Sequence, residues 1–248
     1  MRIVPLASSS RGNAYLVARG GEALLIDCGL CYRELARRLA VCGGDRPEIV
    51  GVLLTHNHDD HISGLKTFLK HHDVPVFANA MTAAATVAHE GVSTDAFAEF
   101  ENGEDFEVGG FRVHPFSIPH DTPDPVGYTV CADDEVYFHA TDVGTPLDSI
   151  GEFLKEATVA TLESNHDVEM LLKSGRHPSL IQRIRGPRGH LSNDDACELV
   201  RKFASPKLKR LTLAHLSHDC NTPSLAELAM RETLAAMRRT DIELGVAL

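Results

Sequence analysis

The chain has 248 residues, with 24 Lys and Arg against 35 Asp and Glu, and its formal net charge is −11. A protein that holds nucleic acid through bulk charge has a basic surface, so this total favours small-molecule chemistry or a strictly local basic surface. One segment, Lys173 to Arg210, has ten basic and three acidic residues, or +7, which leaves −18 for the rest. We call this segment the basic window.

Composition excludes several other classes. With 43% hydrophobic residues the chain can build a buried core, and its length fits one large domain or two small ones. The longest apolar runs, such as Ile49 to Leu54, are strand-sized, which excludes a membrane span. Because the first residues lack the apolar stretch of a signal peptide, we expect a cytoplasmic protein. Six cysteines in so long a chain indicate reduced thiols rather than a disulfide scaffold.

Strands and helices are expected in both halves of the chain, with no Pro, Gly or Ser linker between them. Short apolar runs predict strands, in chain order, at Arg2 to Leu6, Ala14 to Val17, Glu22 to Asp27, Val50 to Leu54, Val74 to Ala78, Phe106 to Val108, Phe111 to Ile118, Tyr128 to Cys131, Val136 to Ala140, Val159 to Glu163 and Arg210 to Ala214. Helical periodicity predicts helices at Leu30 to Ala40, Ile62 to Lys70, Thr82 to His89, Pro146 to Glu156, Asp194 to Phe203 and Ser224 to Arg238. The pattern indicates one α/β domain over residues 1–248, with two sheets or one folded sheet packed between helices.

Three imidazoles and two carboxylates follow the apolar strand that ends at Leu54. They lie in the segment Thr55-His56-Asn57-His58-Asp59-Asp60-His61. In an extended stretch, residues two apart project to the same side, so His56, His58 and Asp60 can converge on one cavity. A polar loop that happens to be rich in histidine is the alternative. Neutral imidazole and carboxylate are the ligands that hold Zn, Mn or Fe, so the spacing favours a metal site.

At this motif the sequence resembles the metallo-β-lactamase fold superfamily. Four further segments match that family in the right order: Asp27 ends an early strand, His120 lies well after the motif, Asp142 follows a later strand, and His215 follows a C-terminal strand. The resemblance covers nearly the whole chain. It implies a four-layer αββα sandwich with the site at one edge.

The resemblance also implies a ligand set for two divalent metal ions, Zn or Mn, with Fe as a further candidate. One ion would take His56, His58 and His120. The other would take Asp60, His61 and His215, and Asp142 would bridge both. Asp27 would orient the histidine loop rather than bind metal. Metallo-β-lactamases proper have Cys where this chain has Asp142, and the carboxylate favours a hard dinuclear site suited to a phosphodiester.

Two more residues resemble elements of the nuclease branch of this superfamily, which includes RNase Z and the β-CASP enzymes. In that branch a His stabilises the scissile phosphate or the leaving oxygen and a Glu orients it, and these roles fall on His190 and Glu163. The alternative for His190 is a neighbour of a helix cap, since Ser192 and Asn193 precede a predicted helix. His166 either lines the cleft or caps a turn.

The segments Leu6–Asn13, Glu163–Leu171, Gly189–Asn193 and Ala214–Ser217 are together similar to the YycJ/WalJ family of bacterial proteins. That family is linked to 5′→3′ exonuclease activity on double-stranded DNA. Only twenty residues separate Asp142 from Glu163, too few for a β-CASP domain. In the first loop, Ser10, Arg11 and Asn13 are candidate phosphate donors, and a plain hairpin turn is the alternative.

The mechanism implied by the resemblance is attack on a DNA phosphodiester by a hydroxide that bridges the two metals. Asp60, Glu163 and His190 are the residues assigned to catalysis, and the basic window would guide the phosphate backbone. DNA is the expected partner, and DNA-repair proteins are partners that a nuclease suggests. An RNA phosphodiesterase, a small-molecule ester or lactone hydrolase, and a metal-bound regulatory module without turnover are the alternatives.

Overall fold

The structure is a computed structural model, and it describes residues 1–42 and 47–247. The predicted domain over residues 1–248 includes residues 43–46 and 248, which lie outside the described residues. The chain divides into two compact units. The first contains the described residues of Met1–Ser117 and the segment Thr122–Val126. The second contains Ile118–Asp121 and the described residues from Gly127 on. A single domain therefore stays a prediction.

The first unit is built on a six-stranded sheet in the order β1-β2-β3-β4-β5-β6, with an added β-hairpin. Its strands are β1 (Arg2–Ser9), β2 (Gly12–Arg19), β3 (Glu22–Ile26), β4 (Glu48–Leu53), β5 (Val76–Asn79), β6 (Phe97–Phe100) and the hairpin strands β7 (Phe106–Val108) and β8 (Phe111–Ser117). Its helices are α1 (Tyr32–Val41), α2 (Asp59–Ile62), α3 (Leu65–Phe68) and α4 (Ala80–Glu90). β1, β2 and β3 pair antiparallel, and β3 to β6 pair parallel.

The second unit has a sheet in the order β13-β12-β11-β10-β9. Its strands are β9 (Val126–Ala132), β10 (Glu135–Ala140), β11 (Val159–Glu163), β12 (Arg210–Ala214) and β13 (Glu243–Val246). The first residue of β9, Val126, is assigned to the first unit. Its helices are α5 (Asp148–Glu156), α6 (Val168–Lys173), α7 (Pro178–Ile184), α8 (Asn193–Phe203) and α9 (Pro223–Ala236). β9 and β10 pair antiparallel, and β10 to β13 pair parallel. None of the helices in 1–42 and 47–247 is long and apolar enough to cross a membrane.

The two units repeat one plan. An antiparallel pair of strands, β2–β3 or β9–β10, leads into three further parallel strands connected through helices. The carboxyl ends of parallel strands lie at one edge of a sheet, where open α/β sheets place their functional loops. The mixed α/β fold with two sheets and helices confirms the predicted fold class.

One predicted helix, Ile62 to Lys70, is wrong. The chain instead forms two four-residue helices, α2 and α3, that are separated at Gly64. A Cβ at Gly64 would lie 1.9 Å from the Leu30 carbonyl oxygen, so this close approach of the backbone admits only glycine. The same loop approaches Gly29, where a Cβ would lie 1.6 Å from the Asp60 carbonyl oxygen. The two glycines let the loop after β3 pack against the backbone of the histidine motif.

Within the described residues, the strands β6 and β13, the helices α6 and α7 and a single 3₁₀ turn at Thr94–Ala96 were not predicted. The helices α6 and α7 have six and seven residues, too few for a clear period of 3.6 residues.

Candidate metal centre

In the first unit the histidine motif begins where β4 ends, and its anchor is Asp27. His56, His61 and Asp27 are completely buried. Asp27 directly follows β3 and has φ 58°, a left-handed conformation that Asp adopts more readily than most residues. Its carboxylate accepts hydrogen bonds from the Thr55 backbone N–H (2.9 Å), the Thr55 hydroxyl (2.9 Å) and His61 Nδ1 (2.8 Å). Asp27 therefore bonds both the start and the end of the motif, and its role as a residue that orients metal ligands stays a prediction.

Thr55 connects Asp27 to the imidazole of His56 by hydrogen bonds. Because the Thr55 hydroxyl donates to Asp27, its oxygen accepts from His56 Nδ1 at 2.9 Å. The His56 Nε2 lone pair then lies 3.1 Å from His58 Nδ1. Two nitrogen ligands of a tetrahedral zinc ion are separated by about 3.3 Å, given Zn–N bonds near 2.05 Å. The spacing of His56 and His58 therefore fits shared ligation of one divalent ion.

Asn13 lies in β2 and contacts the other end of the motif. Its side-chain N–H donates to Asp60 Oδ2 at 3.1 Å and lies 3.0 Å from His61 Nε2, and its Oδ1 accepts from the Ser9 backbone N–H. Asn13 is completely buried, so it positions Asp60 and His61 rather than donating to a substrate phosphate. Ser10 and Arg11 are exposed in the tight turn between β1 and β2.

In the second unit one carboxylate organises the candidate site. Glu163 is the last residue of β11 and is completely buried. Its Oε1 accepts hydrogen bonds from His190 Nδ1 (2.9 Å) and His215 Nδ1 (2.8 Å). Its Oε2 accepts from the backbone N–H groups of Val143 (2.8 Å) and Leu191 (3.1 Å). Glu163 thus fixes two imidazoles and the backbone beside Asp142 and beside His190.

Electrostatics agree with an ionised Glu163. Burial alone would raise the pKa of this carboxyl, but the His190 and His215 imidazoles and their hydrogen bonds outweigh burial and lower it. For His190, burial would lower the pKa of the imidazole, while the charge of Glu163 and its hydrogen bond raise it. The pair therefore favours a carboxylate beside a ring that is readily protonated.

Asp142 is the second residue after β10, within reach of three imidazoles. Its Oδ1 is 3.4 Å from His215 Nδ1, 3.6 Å from His190 Nδ1 and 3.7 Å from His120 Nε2. His120 Nδ1 donates to the Gly189 carbonyl at 3.1 Å, which turns Nε2 towards Asp142. Like Asp27, both Asp142 (φ 60°) and His215 (φ 55°) have left-handed backbones.

In each unit taken by itself, the residues fit the ligation of a divalent metal. Metal-binding histidines almost always donate their second ring N–H to a carboxylate, carbonyl or water, which leaves the other nitrogen as the ligand. His56, His61, His120 and His215 each have such an acceptor at Nδ1, namely Thr55, Asp27, Gly189 and Glu163. In the second unit, Asp142, Glu163, His190 and His215 also offer one ligand atom each within 4.8 Å of one another.

The structure places His190 and His166 each beside a helix cap. Ser192 caps α8 in a capping box with Asp195, so His190 is a neighbour of that cap as well as a partner of Glu163, and its role in catalysis stays a prediction. Asp167 caps α6 and His166 directly precedes it, so lining the cleft and capping a turn both stay predictions for His166. His166 is 2% exposed, its Nδ1 has no hydrogen-bond partner among the described residues, and burial lowers its imidazole pKa. It is a neutral side chain buried near Glu163.

The basic window is less basic in the structure than in the sequence. Six of its ten basic residues pair with acids from outside the window: Lys173 with Glu169, Arg176 with Asp219, Arg183 with Asp121, Lys202 with Asp148, Lys207 with Glu156 and Arg210 with Glu135. Arg185 and Arg188 form no ion pair within the described ranges and are exposed. They come just before His190. The local basic surface expected from the window is therefore reduced mainly to these two arginines.

Sequence reasoning missed two kinds of residue. Thr55 looked like an ordinary strand end, and only its contact with Asp27, 28 positions away, reveals the relay. Asn193 and Asn221 form a buried pair whose partners are 28 positions apart. The one local signal was the position of Asn221 directly before Thr222-Pro223, a typical helix start.

Comparison with known proteins identifies the superfamily. The sequence profile described as the β-lactamase superfamily domain matches residues 22–216. The crystal structure of the metallo-β-lactamase fold protein YhfI from Bacillus subtilis superposes with a TM-score of 0.69 and 16% identity, covering 99% of this chain and 95% of that one. Fold and site together define a metal-dependent hydrolase of the metallo-β-lactamase superfamily.

Two relatives match almost from end to end. Exodeoxyribonuclease YycJ of Bacillus anthracis is 34% identical over 231 residues, which are 92% of this chain and 87% of that protein. Exodeoxyribonuclease WalJ of Streptococcus pneumoniae is 31% identical over 244 residues, 97% of this chain and 90% of that protein. The chain therefore belongs to the YycJ/WalJ family, which confirms the resemblance noted in the sequence.

Proposed function

We propose that the protein is a 5′→3′ exonuclease that acts on double-stranded DNA with two divalent metal ions. The observation that carries the proposal is the shared carboxylate of Glu163, which holds His190 beside Asp142. The names of the relatives YycJ and WalJ support DNA as the substrate. A cytoplasmic location and DNA-repair partners stay predictions.

The proposed ligand set follows the assignment made from the sequence. One ion would be held by His56, His58 and His120 and the other by Asp60, His61 and His215, and Asp142 would serve both. The hydrogen bonds at His56 Nδ1, His61 Nδ1, His120 Nδ1 and His215 Nδ1 support it. When bound, two divalent ions activate water and offset charge on the phosphoryl oxygens, and Zn and Mn both suit this donor set.

The chain's own residues supply the rest of the chemistry. In the proposed step the oxygen of a water molecule forms a bond to phosphorus and releases one proton to solvent, and the bond from phosphorus to the leaving oxygen breaks. His190 donates a proton to the leaving oxygen, and it regains a proton from solvent, so that the sum is one water added across the broken bond. The hydrogen bond from Nδ1 to Glu163 supports this role, because it leaves Nε2 as the edge that faces away from the carboxylate.

Substrate binding is assigned to residues with exposed cationic or polar groups. Arg185 and Arg188 precede His190, and Arg11 and Ser10 lie in the turn before Asn13. Few phosphate contacts imply modest affinity, and each contact adds to the salt dependence of binding. His166 is assigned to the wall beside Glu163 rather than to contact with the phosphate, since it is almost fully buried.

The test is digestion of duplex DNA labelled at either the 5′ or the 3′ end, with Mn²⁺ or Zn²⁺. Parallel arms contain single-stranded DNA, RNA and an ester substrate. We expect early release of the 5′ label from duplex DNA, and loss of this activity in Asp142→Ala and His58→Ala. An intact duplex under both metals, together with turnover of RNA or ester, would replace DNA by that substrate. No turnover in any arm would favour a regulatory module.

A further inference from the structure

Behind Glu163 the structure contains a buried pair of amides that no part of the proposed mechanism uses. Asn193 and Asn221 are 5% and 4% exposed. Asn193 Nδ2 donates to Asn221 Oδ1 at 3.1 Å, and Asn221 Nδ2 donates back to Asn193 Oδ1 at 2.9 Å. This reciprocal arrangement uses both the donor and the acceptor of each side chain. We call it the amide pair.

The amide pair connects three segments of the second unit. Asn193 begins α8, and Asn221 directly precedes the cap of α9. The end of β11 joins both: the Ser164 hydroxyl donates to Asn193 Oδ1 at 2.6 Å, and Asn221 Nδ2 donates to the carbonyls of Ser164 (2.9 Å) and Asn165 (3.2 Å).

Each of these segments contains one residue of the candidate site. Glu163 directly precedes Ser164, His190 is three residues before Asn193, and His215 lies six residues before Asn221. Asn165 makes the last connections: its backbone N–H donates to the Leu191 carbonyl at 2.9 Å, and its Nδ2 donates to the His215 carbonyl at 2.8 Å. The amide pair and Asn165 thus connect the end of β11 to the backbone just after His190 and to the carbonyl of His215.

Strand pairing alone does not position all three side chains. β11 and β12 pair in parallel up to Glu163 and Ala214, and this register sets the positions of Glu163 and His215 along the sheet edge. His190 belongs to no strand, so its position depends on loop contacts. A catalytic group that shifts by about 1 Å can lose on the order of a hundredfold in rate. Contacts that restrain the His190 loop should therefore appear in the rate as well as in stability.

We propose that the Asn193–Asn221 amide pair positions His190 against Glu163, an inference that rests on the proposed role of His190 as proton donor. Removal of either amide leaves buried polar partners without hydrogen bonds and lets the loop after His190 move. We expect Asn221→Ala to lower kcat roughly ten- to a hundredfold while KM for DNA changes little. Asn193→Ala is the second variant, and it should give a similar loss.

The first measurement is NMR of the metal-free protein, because it is independent of nuclease activity. An imidazole N–H held by a buried carboxylate exchanges slowly with solvent and gives a downfield proton signal. The signal that disappears in His190→Ala identifies His190 Nδ1–H. In Asn221→Ala this signal should broaden and exchange faster. An unchanged signal in both amide variants would overturn the inference, whatever the substrate proves to be.

The second measurement combines variants. In a His190→Ala background, Asn221→Ala should cause no further loss of kcat, since the amide acts through the missing imidazole. An equal loss in both backgrounds would mean that the amide pair supports only the general fold. Thr233→Ala is the matched control: its buried hydroxyl bonds the Cys197 thiol, further along the same two helices. It should lower Tm but leave kcat and the His190 signal unchanged.

Discussion

The two units use the same plan for different purposes. Asp27 follows β3 and Asp142 follows β10, the second strand of each antiparallel pair, and both have a left-handed backbone. Asp27 accepts hydrogen bonds from Thr55 and His61 of its own unit and acts as an anchor. Asp142 instead has three imidazoles at 3.4 to 3.7 Å. Residues at equivalent positions of the two units therefore need not have the same role. The role depends on which side chains the neighbouring strand ends place around the carboxylate.

The second difference concerns how the imidazoles are anchored. In the first unit they come from one loop, so neighbouring residues such as Thr55 relay a single anchor along the chain. In the second unit they come from separate segments, and Glu163 must accept from His190, His215 and two backbone N–H groups at once. When the imidazoles come from distant segments, one carboxylate accepts hydrogen bonds from all of them. When they come from one contiguous motif, several neighbouring residues share these hydrogen bonds. The predictions below test this contrast.

The largest effect should come from Glu163→Gln. The amide places an N–H where one carboxylate oxygen now accepts two hydrogen bonds, so either both imidazoles or both backbone groups lose their partner. We expect kcat for DNA to fall on the order of a thousandfold or more, as when a carboxylate behind a catalytic imidazole becomes an amide. Tm should fall as well. Glu152→Gln, on the exposed face of α5, is the control and should change neither. A fall below tenfold would mean that the two imidazoles keep their positions without Glu163.

A smaller and different effect is expected for Asp27→Asn in the first unit. The amide oxygen can still accept from the Thr55 backbone, but an N–H group in place of Oδ2 cannot accept from His61 Nδ1, whereas the Thr55 hydroxyl can turn and accept from the amide. Loss of such an outer partner typically weakens metal binding by about 10- to 100-fold. Competition with a chelator should show this loss, while kcat at saturating metal stays within a few-fold of the unaltered protein. Asp73→Asn, an exposed acid of the same unit, is the comparison. If Asp27→Asn lowered kcat as much as Glu163→Gln, the contrast between the units would be wrong.

The smallest effect concerns the basic window. Arg185→Gln and Arg188→Gln should each reduce the slope of log KM for DNA against log salt by about 1, because each removes one phosphate contact. Lys207→Gln removes the same charge, but Lys207 pairs with Glu156 and lies before β12, at the end of that strand away from His215. In Lys207→Gln the slope of log KM against log salt should therefore stay the same as in the unaltered protein. Equal slopes for all three variants would show that the window acts through its total charge.

The histidine motif of the first unit could be predicted from the sequence itself. The site residues of the second unit, which are far apart in the chain, could be predicted only from the resemblance to a known family. An apolar strand followed by alternating His and Asp predicts both the strand and the metal motif, because each signal is local. Nothing local marks Glu163 or His215 as partners, since their contact joins positions 52 apart. The amide pair and the ion pairs of the basic window other than Lys173–Glu169 have the same origin. They depend on which segments the fold brings together, and no local residue pattern encodes that.

The left-handed backbones at Asp27, Asp142 and His215 restrict how this centre can be redesigned. Most side chains lose about 1–2 kcal/mol in that conformation, whereas Asp, Asn and His enter it more readily and glycine does so freely. A combinatorial library that seeks a new metal preference should therefore limit these three positions to Asp, Asn, His and Gly. His58, with φ −68°, accepts the full range of ligating side chains and is the better place for diversity.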